Sequence, residues 1–370
     1  MDLDSSRIRV AIVAPSLRIL GGQAVQADRL LRAWQDDPQL DAWLVPHNPV
    51  PPRPLQWATR VKYARTLVTE ACYLALLFRE LRRADVVHVF SASYTSFLLA
   101  PLPAVLVAKL LGKPVVLNYR SGEAPDHLRR SAIARWVLRH VDQNAVPSAF
   151  LQTVFAEYDV EATVIPNLVA LDRFPYRPRT PLRPRLLSTR NLEPLYNVAC
   201  TLRAFQQIQG VHPDATLTLV GAGSEEPALR DLARDLGLRH VTFAGRVAPE
   251  SIASCYDTHD IYIQSPNIDN MPASVLEAYA SGLPVVSTDA GGVPTIVRHG
   301  EQGLLAPVND HDQLAAHVLH LLAAPDRARA LAEAGHASLQ ASAWPRVREQ
   351  WLALYRVALA RESRVAAVQA

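Results

Sequence analysis

Short apolar runs rich in β-branched residues recur along the chain, each bounded by polar or turn-forming residues. Arg7–Ala14 (RIRVAIVA) stops at Pro15, and beyond the turn at Gly21-Gly22 the residues Ala24, Ala27, Leu31 and Trp34 return at helical spacing. Strand-like runs follow at Ala42–Val45, Val86–Phe90, Val115–Asn118, Asn144–Val146 and Thr163–Ile165, with longer helical patterns between most of them. From 172 to 184 the pattern lapses. There Pro175, Pro178, Pro181 and Pro184 alternate with arginines, which suits neither a helix nor a central strand and predicts a linker. Alternation then resumes at Leu186–Thr189, Thr216–Val220, Val241–Phe243, Ile261–Gln264, Val285–Ser287 and Gly303–Ala306. A last amphipathic helix is expected over Ala343–Arg361, carrying Trp344, Trp351, Leu354 and Tyr355.

Strands alternating with helices predict an α/β protein of parallel βαβ units with both sheet faces covered. The expected organisation is a Rossmann-like domain over 1–171, the linker over 172–184, a second Rossmann-like domain over 185–342, and a terminal helix with its tail over 343–370. Two such sheets in tandem place a cleft between them, and ligands of doubly wound sheets bind at the carboxyl ends of the strands. Ser91–Ala108 is apolar enough to suggest a membrane span. It is polar at its start, holds Pro101 and Pro103, and falls short of the ~20 residues a spanning helix needs, so a buried helix is expected.

Composition narrows the class. The 370 residues carry 38 Lys plus Arg against 35 Asp plus Glu, with 20% charged and 49% hydrophobic residues, which excludes a disordered or fibrous chain. A net charge of +3 is weak for nucleic-acid binding, and the basic stretches lack an aromatic platform for bases. Cys72, Cys200 and Cys255 lie far apart without CxxC spacing, which argues against a disulfide scaffold or zinc cluster and for a reducing compartment. Met1–Ser6 has two aspartates and no basic segment of the kind that opens an export signal, so a cytoplasmic location is expected. Lys62, Lys109 and Lys113 are the chain's only lysines.

The segment Gln264–Gly292, QSPNIDNMPASVLEAYASGLPVVSTDAGG, is where chemistry concentrates. Pro272 suits a first helical turn, and Gly282 with Pro284 suits a helix stop. Free amides at Ala273, Ser274 and Val275 would form a positive helix end, a site for phosphate. Glu277, one turn inside, could accept from the paired hydroxyls of a ribose. A capped helix with Asp269 as a plain cap accounts for the same residues.

Asp269 and Glu277, eight positions apart, resemble the D/E-x7-E region of the family 4 retaining glycosyltransferases, whose fold is GT-B. Other segments follow in the family's order. Val164-Ile165-Pro166-Asn167 with Asp172-Arg173-Phe174 resembles its "VIPNG-x-D-x-x-F" segment; Leu219–Gly223 and Val241–Val247 resemble its two nucleotide-side strands with their loops. The Gly21-Gly22 turn resembles its N-terminal glycine loop, and the last helix the one that crosses back to the first domain. The resemblance implies that Asp269 binds hydroxyls of the transferred sugar, Glu277 the nucleotide ribose, and Arg190 the leaving diphosphate. It also implies that main chain around Arg246 and Val247 holds the base, and that Asn270, Met271, Ala273, Ser274 and Val275 line the donor site. Gly21 and Gly22 would admit phosphates or acceptor to the backbone; taken alone, they are better explained by a simple tight turn.

Departures from the family pattern are as specific. The lysine that usually follows the arginine is absent from Glu193-Pro194-Leu195-Tyr196-Asn197, and no lysine occurs after Lys113. The first acid is Asp rather than Glu, the usual Gly-Phe-Gly after it reads Asn270-Met271-Pro272, and the position often held by His reads Asn118-Tyr119-Arg120. Arg120 is a candidate to replace part of the missing charge, against the alternative of a surface arginine. His88 reads as a hydrogen-bonded core histidine. Asp310-His311-Asp312 reads as a helix cap rather than a metal motif, and Asp2-Leu3-Asp4 as part of a loose tail.

The resemblance implies a glycosyltransferase with a nucleotide-diphosphate sugar as co-substrate, a carbohydrate or lipid-linked acceptor, no cofactor and no catalytic metal, serving polysaccharide or glycolipid assembly. Two alternatives stand beside it: a non-catalytic GT-B-like partner that binds donor or acceptor, and a nucleotide-sugar epimerase. An anionic membrane surface is a further candidate partner. Arg53–Arg83 carries seven basic and two acidic residues among Trp57, Tyr63, Leu67 and the apolar Tyr73–Phe78, and Leu128–His140 adds Arg129, Arg130, Arg135 and Arg139 without an acid. Solvated helix faces would show the same composition.

Overall fold

The computed structural model describes residues 7–18 and 21–369; the Asp2-Leu3-Asp4 motif lies outside the described residues. The chain divides into two compact units, residues 1–168 with 344–370, and residues 169–343. All twelve strand-like runs of the sequence form strands, shifted at their ends by no more than two residues. They are β1 (Ile8–Ala14), β2 (Leu40–Pro46), β3 (Val86–Ser91), β4 (Val115–Tyr119), β5 (Gln143–Val146) and β6 (Thr163–Val164) in the first unit. The second holds β7 (Arg185–Ser188), β8 (Thr216–Val220), β9 (Val241–Gly245), β10 (Ile261–Ile263), β11 (Val285–Thr288) and β12 (Leu304–Ala306).

Every pairing is parallel. The first sheet runs β2-β1-β3-β4-β5-β6 and the second β12-β11-β10-β7-β8-β9. Strands of this kind are buried on both faces, and β3 and β4 are buried along their whole length. In the first unit the helix Lys62–Leu81 and its neighbours cover one face, with Tyr73, Leu77 and Phe97 at its core. The other face is covered by the helix Gly22–Trp34 and by the last helix, Trp344–Gln369. That helix belongs to the first unit, as the resemblance implied: Val347, Trp351, Leu352 and Tyr355 are buried against its sheet, and Trp344 meets Trp34 edge to face at 4.6 Å. Arg348 adds an ion pair to the buried Asp37 at 2.6 Å.

Two readings change. Ser91–Ala108 is not one buried helix. It holds Tyr94–Leu99 and Pro101–Leu110, broken where Pro101 opens the second, with Leu98, Leu99 and Leu106 exposed. Among the described residues no helix is long and apolar enough to cross a membrane. The proline–arginine stretch packs within the second unit. There Arg179 is buried and donates to the carbonyls of His259 and Tyr256, both at 2.9 Å.

Candidate functional site

The second sheet has the doubly wound order in which the chain runs β7, β8, β9 to one side and then crosses to β10 on the other. That topology opens a crevice at the carboxyl ends of β7 and β10. Register aligns those ends, Ile261 with Leu186 and Tyr262 with Leu187, so that Thr189-Arg190 and Gln264 leave the sheet side by side. The helix Ala273–Ser281 then starts at Pro272 and ends on Gly282 at a left-handed φ of 79°, the start and stop that the sequence placed. It is buried over nearly its whole length, so Ser274 and Glu277 face protein rather than solvent.

Arg190 anchors the crevice. Its guanidinium pairs with the Asp269 carboxylate through Nη2, donates to Ser274 Oγ at 3.1 Å through Nη1, and lies over the Tyr196 ring with Cζ 4.0 Å from the centroid. Its Nε is buried without a hydrogen-bond partner among the described residues. Burial opposes its charge, but Asp269 and the facing tyrosines outweigh it, so the guanidinium holds its proton more tightly than usual. Asp269 uses its other oxygen on the Asn270 amide, at 2.7 Å.

Glu277 is buried and accepts from Tyr256 Oη at 2.8 Å. The same hydroxyl lies 2.7 Å from Thr189 Oγ1 and 3.3 Å from the Ser274 carbonyl. Burial, and then the Glu277 charge, push the Tyr256 phenol far above its ordinary pKa, so it stays a donor. Ser274 also reaches Gln264 Oε1 at 3.5 Å, and Gln264 donates to Ser287 at 3.0 Å. Arg190, Asp269, Ser274 and Glu277 therefore share one polar network. Sequence reasoning missed Tyr256, Thr189, Gln264 and Tyr262, which join it from other elements.

The remaining candidates are distributed. Asn270 is buried beside Asp269, and Ala273 is half-buried at the helix start. Val275 turns its amide back onto the Pro272 carbonyl at 3.2 Å, so it is not free as expected, and its side chain lies in the apolar cluster that holds Met271. Arg246 is exposed just beyond β9, and Val247 packs against that same cluster. Gly221, after β8, has φ 147°, and a Cβ there would lie 2.2 Å from the Arg190 carbonyl oxygen. Only glycine lets the two loops meet.

Gly21, Gly22 and Arg120 belong to the first unit. Gly21 precedes the helix Gly22–Trp34 in extended backbone, φ −168°. Arg120 leaves β4 half-buried, donating to Asn167 and, at 3.5 Å, to Asn118, with its Cζ 5.2 Å from the Phe90 ring centroid. Among the described residues no carboxylate pairs with it, and burial lowers its pKa to about 10. His88 is fully buried: Asn118 Nδ2 lies 3.2 Å from Nε2 and Tyr355 Oη 2.8 Å from Nδ1. Asp310 caps the helix His311–Ala323 by accepting from the Gln313 amide at 2.8 Å.

Comparison with known proteins gives the family and the fold. Residues 20–173 match the family model described as Glycosyltransferase Family 4, and residues 177–338 that for Glycosyl transferases group 1. A glycogen synthase of Mycobacterium tuberculosis is 28% identical over 273 residues, 70% of this chain; the matched stretch spans 64% of that relative, just under two thirds of its length. A phosphatidyl-myo-inositol mannosyltransferase of Mycobacterium leprae is 30% identical over 291 residues, 76% of this chain and 75% of the relative. The crystal structure of Anabaena HepE in complex with UDP and glucose matches the fold with a TM-score of 0.72 at 17% identity, covering 94% of this chain and 98% of that one. With two family models side by side and a relative matched over three quarters of its length, the chain belongs to the family 4, or group 1, glycosyltransferases.

Proposed function

We propose that this chain transfers a sugar from a nucleotide-diphosphate sugar to a carbohydrate or lipid-linked acceptor, with retention of configuration and without a metal, in polysaccharide or glycolipid assembly. The observation that carries the reading is the crevice of the second unit, where a half-buried, ion-paired arginine, a helix start and a buried, oriented carboxylate meet at the switch point. Cleaving a sugar–phosphate bond sends its electron pair onto the diphosphate. Arg190 and the amides that open the helix Ala273–Ser281 supply fixed positive charge for it, and such preorganised electrostatics are often the largest part of catalysis. Glu277, held by Tyr256, has an oxygen suited to ribose hydroxyls. The acceptor's oxygen would bond to the anomeric carbon on the face the diphosphate leaves, and the acceptor's proton would pass to the diphosphate. The names of the relatives, a glycogen synthase and a lipid mannosyltransferase, support both acceptor classes.

An anionic membrane is proposed as a docking partner of the first unit. Arg53, Leu55, Trp57, Val61, Arg65, Leu67, Leu74 and Arg82 are all exposed along 53–82. Tyr73 and Leu77, counted toward this face in the sequence, are instead core residues. The second basic stretch contributes less than its composition suggests. Arg129 and Arg130 pair with Asp126, and Arg135 and Arg139 donate to backbone carbonyls.

A thermal-shift screen of the full chain against UDP, GDP, ADP and dTDP sugars tests the main reading. A ligand at a hundred times its Kd stabilises by about 2.7 kcal/mol. One nucleotide class should raise Tm, and Glu277→Ala should remove the shift. Acceptor-dependent transfer that E277A abolishes separates an enzyme from a silent binding partner, and dependence on the acceptor separates it from an epimerase. If no nucleotide sugar shifts Tm, the reading is wrong.

A further inference from the structure

The family resemblance assigns Asp269 to hydroxyls of the transferred sugar, but both of its carboxylate oxygens are engaged. One accepts from the Asn270 amide at 2.7 Å, the other from Arg190. Aspartate, one methylene shorter than the glutamate usual at this position, reaches ~1.5 Å less far from the backbone. Arg190 in turn is enclosed: Asp269 at one nitrogen, Ser274 at the other, and the Tyr196 ring against its face. Tyr196 comes from the very segment in which the expected lysine is missing. With no lysine after residue 113, that enclosure orients the guanidinium of Arg190 in place of the missing ammonium.

We infer that Asp269 is a positioning residue, the counter-ion of Arg190, and that it competes with the diphosphate for that guanidinium and so sets how fast the nucleotide product leaves. The inference rests on the donor-site reading above. In the free protein Asp269 neutralises Arg190 and, with Tyr196 and Ser274, fixes its fork. When a diphosphate enters, two anions share one cation, so the carboxylate weakens nucleotide binding that would otherwise hold the product too long. The two charged groups are in direct contact and half-buried, so their effects couple and a double-mutant cycle separates them.

The test is calorimetric titration of the full chain with the nucleoside diphosphate and with the intact nucleotide sugar that the screen identifies, alongside steady-state turnover. Asp269→Asn should bind the nucleoside diphosphate about tenfold more tightly, as expected for removing one charge within about 4–6 Å. Turnover should fall because product is retained. In an Arg190→Met background, adding D269N should tighten nucleoside diphosphate binding less than it does in the wild type and should not weaken nucleotide-sugar binding, since only the direct repulsion between carboxylate and diphosphate is then relieved. A D269N protein that binds the nucleoside diphosphate no more tightly than wild type overturns the inference. So does a loss of nucleotide-sugar affinity from adding D269N to R190M, because the carboxylate would then be reading the sugar. Should D269N alone not fold, the comparison of R190M with R190M/D269N still decides. Absence of nucleoside diphosphate binding by the wild-type chain would instead count against the donor-site reading itself.

Discussion

Tyr256 holds Glu277 in a way that no motif announces. Its hydroxyl donates to the carboxylate at 2.8 Å and lies against Thr189 at 2.7 Å, fixing the orientation of Glu277. Hydrogen bonds to charged groups contribute about 1.5–3 kcal/mol, so Tyr256→Phe should weaken nucleotide binding by roughly tenfold or more. Titration with the nucleoside diphosphate measures this, and a change below about twofold would refute it. Asp269 and Glu277 were legible from their eight-residue spacing around a helix start, and Arg190 only through the family resemblance. Tyr256 was not, because it lies 67 residues from Thr189 and 21 from Glu277. Only the convergence of strand ends brings them together. Ser274 was legible as a helix-start amide but not as the hydroxyl that meets Arg190.

At the scale of elements, the twelve strands could be read because buried parallel strands are unbroken β-branched runs, a pattern that needs no knowledge of partners. Helix packing was less legible. Tyr73–Phe78 looked like part of a basic-apolar face, yet Tyr73 and Leu77 are sealed under the first sheet, since composition does not say which side of a helix turns inward. The face that remains, with Trp57 65% and Leu67 73% exposed, should bind anionic vesicles at low salt and release them at high salt. Co-sedimentation decides, and absence of binding at low salt removes the proposal. Two glycines make a second contrast. Gly221→Ala sets a Cβ 2.2 Å from the Arg190 carbonyl at a φ of 147° and should destabilise by about 1–3 kcal/mol or more while displacing the arginine. Gly22 opens a helix, and among the described residues nothing lies within 4 Å of a Cβ placed there. Gly22→Ala should therefore stabilise by roughly 0.5–1 kcal/mol. If turnover falls while Tm rises, that glycine serves a ligand; if turnover holds, it serves only the turn.

At the scale of the molecule, the chain leaves its first unit, builds the second and returns, so the first unit is complete only when the last helix docks. His88 lies at that junction. Asn118 turns its oxygen toward Arg120, so its amide nitrogen donates to His88 Nε2, and Nδ1–H is left to donate to Tyr355 on the last helix. The ring must be neutral to play both parts. Burial, with the nearby Arg120 charge adding to it, lowers its pKa to about 3. A folded-state value below the unfolded ~6.5 means that the unfolded chain takes up a proton the folded one refuses. The His88 contribution to stability is thus complete above pH 6.5 and drains away as pH falls toward 3, by up to about 1.4 kcal/mol per pH unit. Burial also lowers His47, His127, His259 and His317, and Asp37 and Asp85 have depressed pKa values, so wild-type stability alone cannot isolate the effect. His88→Gln can: its amide oxygen can accept from Asn118 and its amide nitrogen donate to Tyr355, with nothing to protonate. Denaturant unfolding of both proteins between pH 7 and 4 should show the wild-type curve falling more steeply, by one proton's worth of slope. Parallel curves would mean that His88 is already protonated inside the fold, which the donor at Nε2 does not allow.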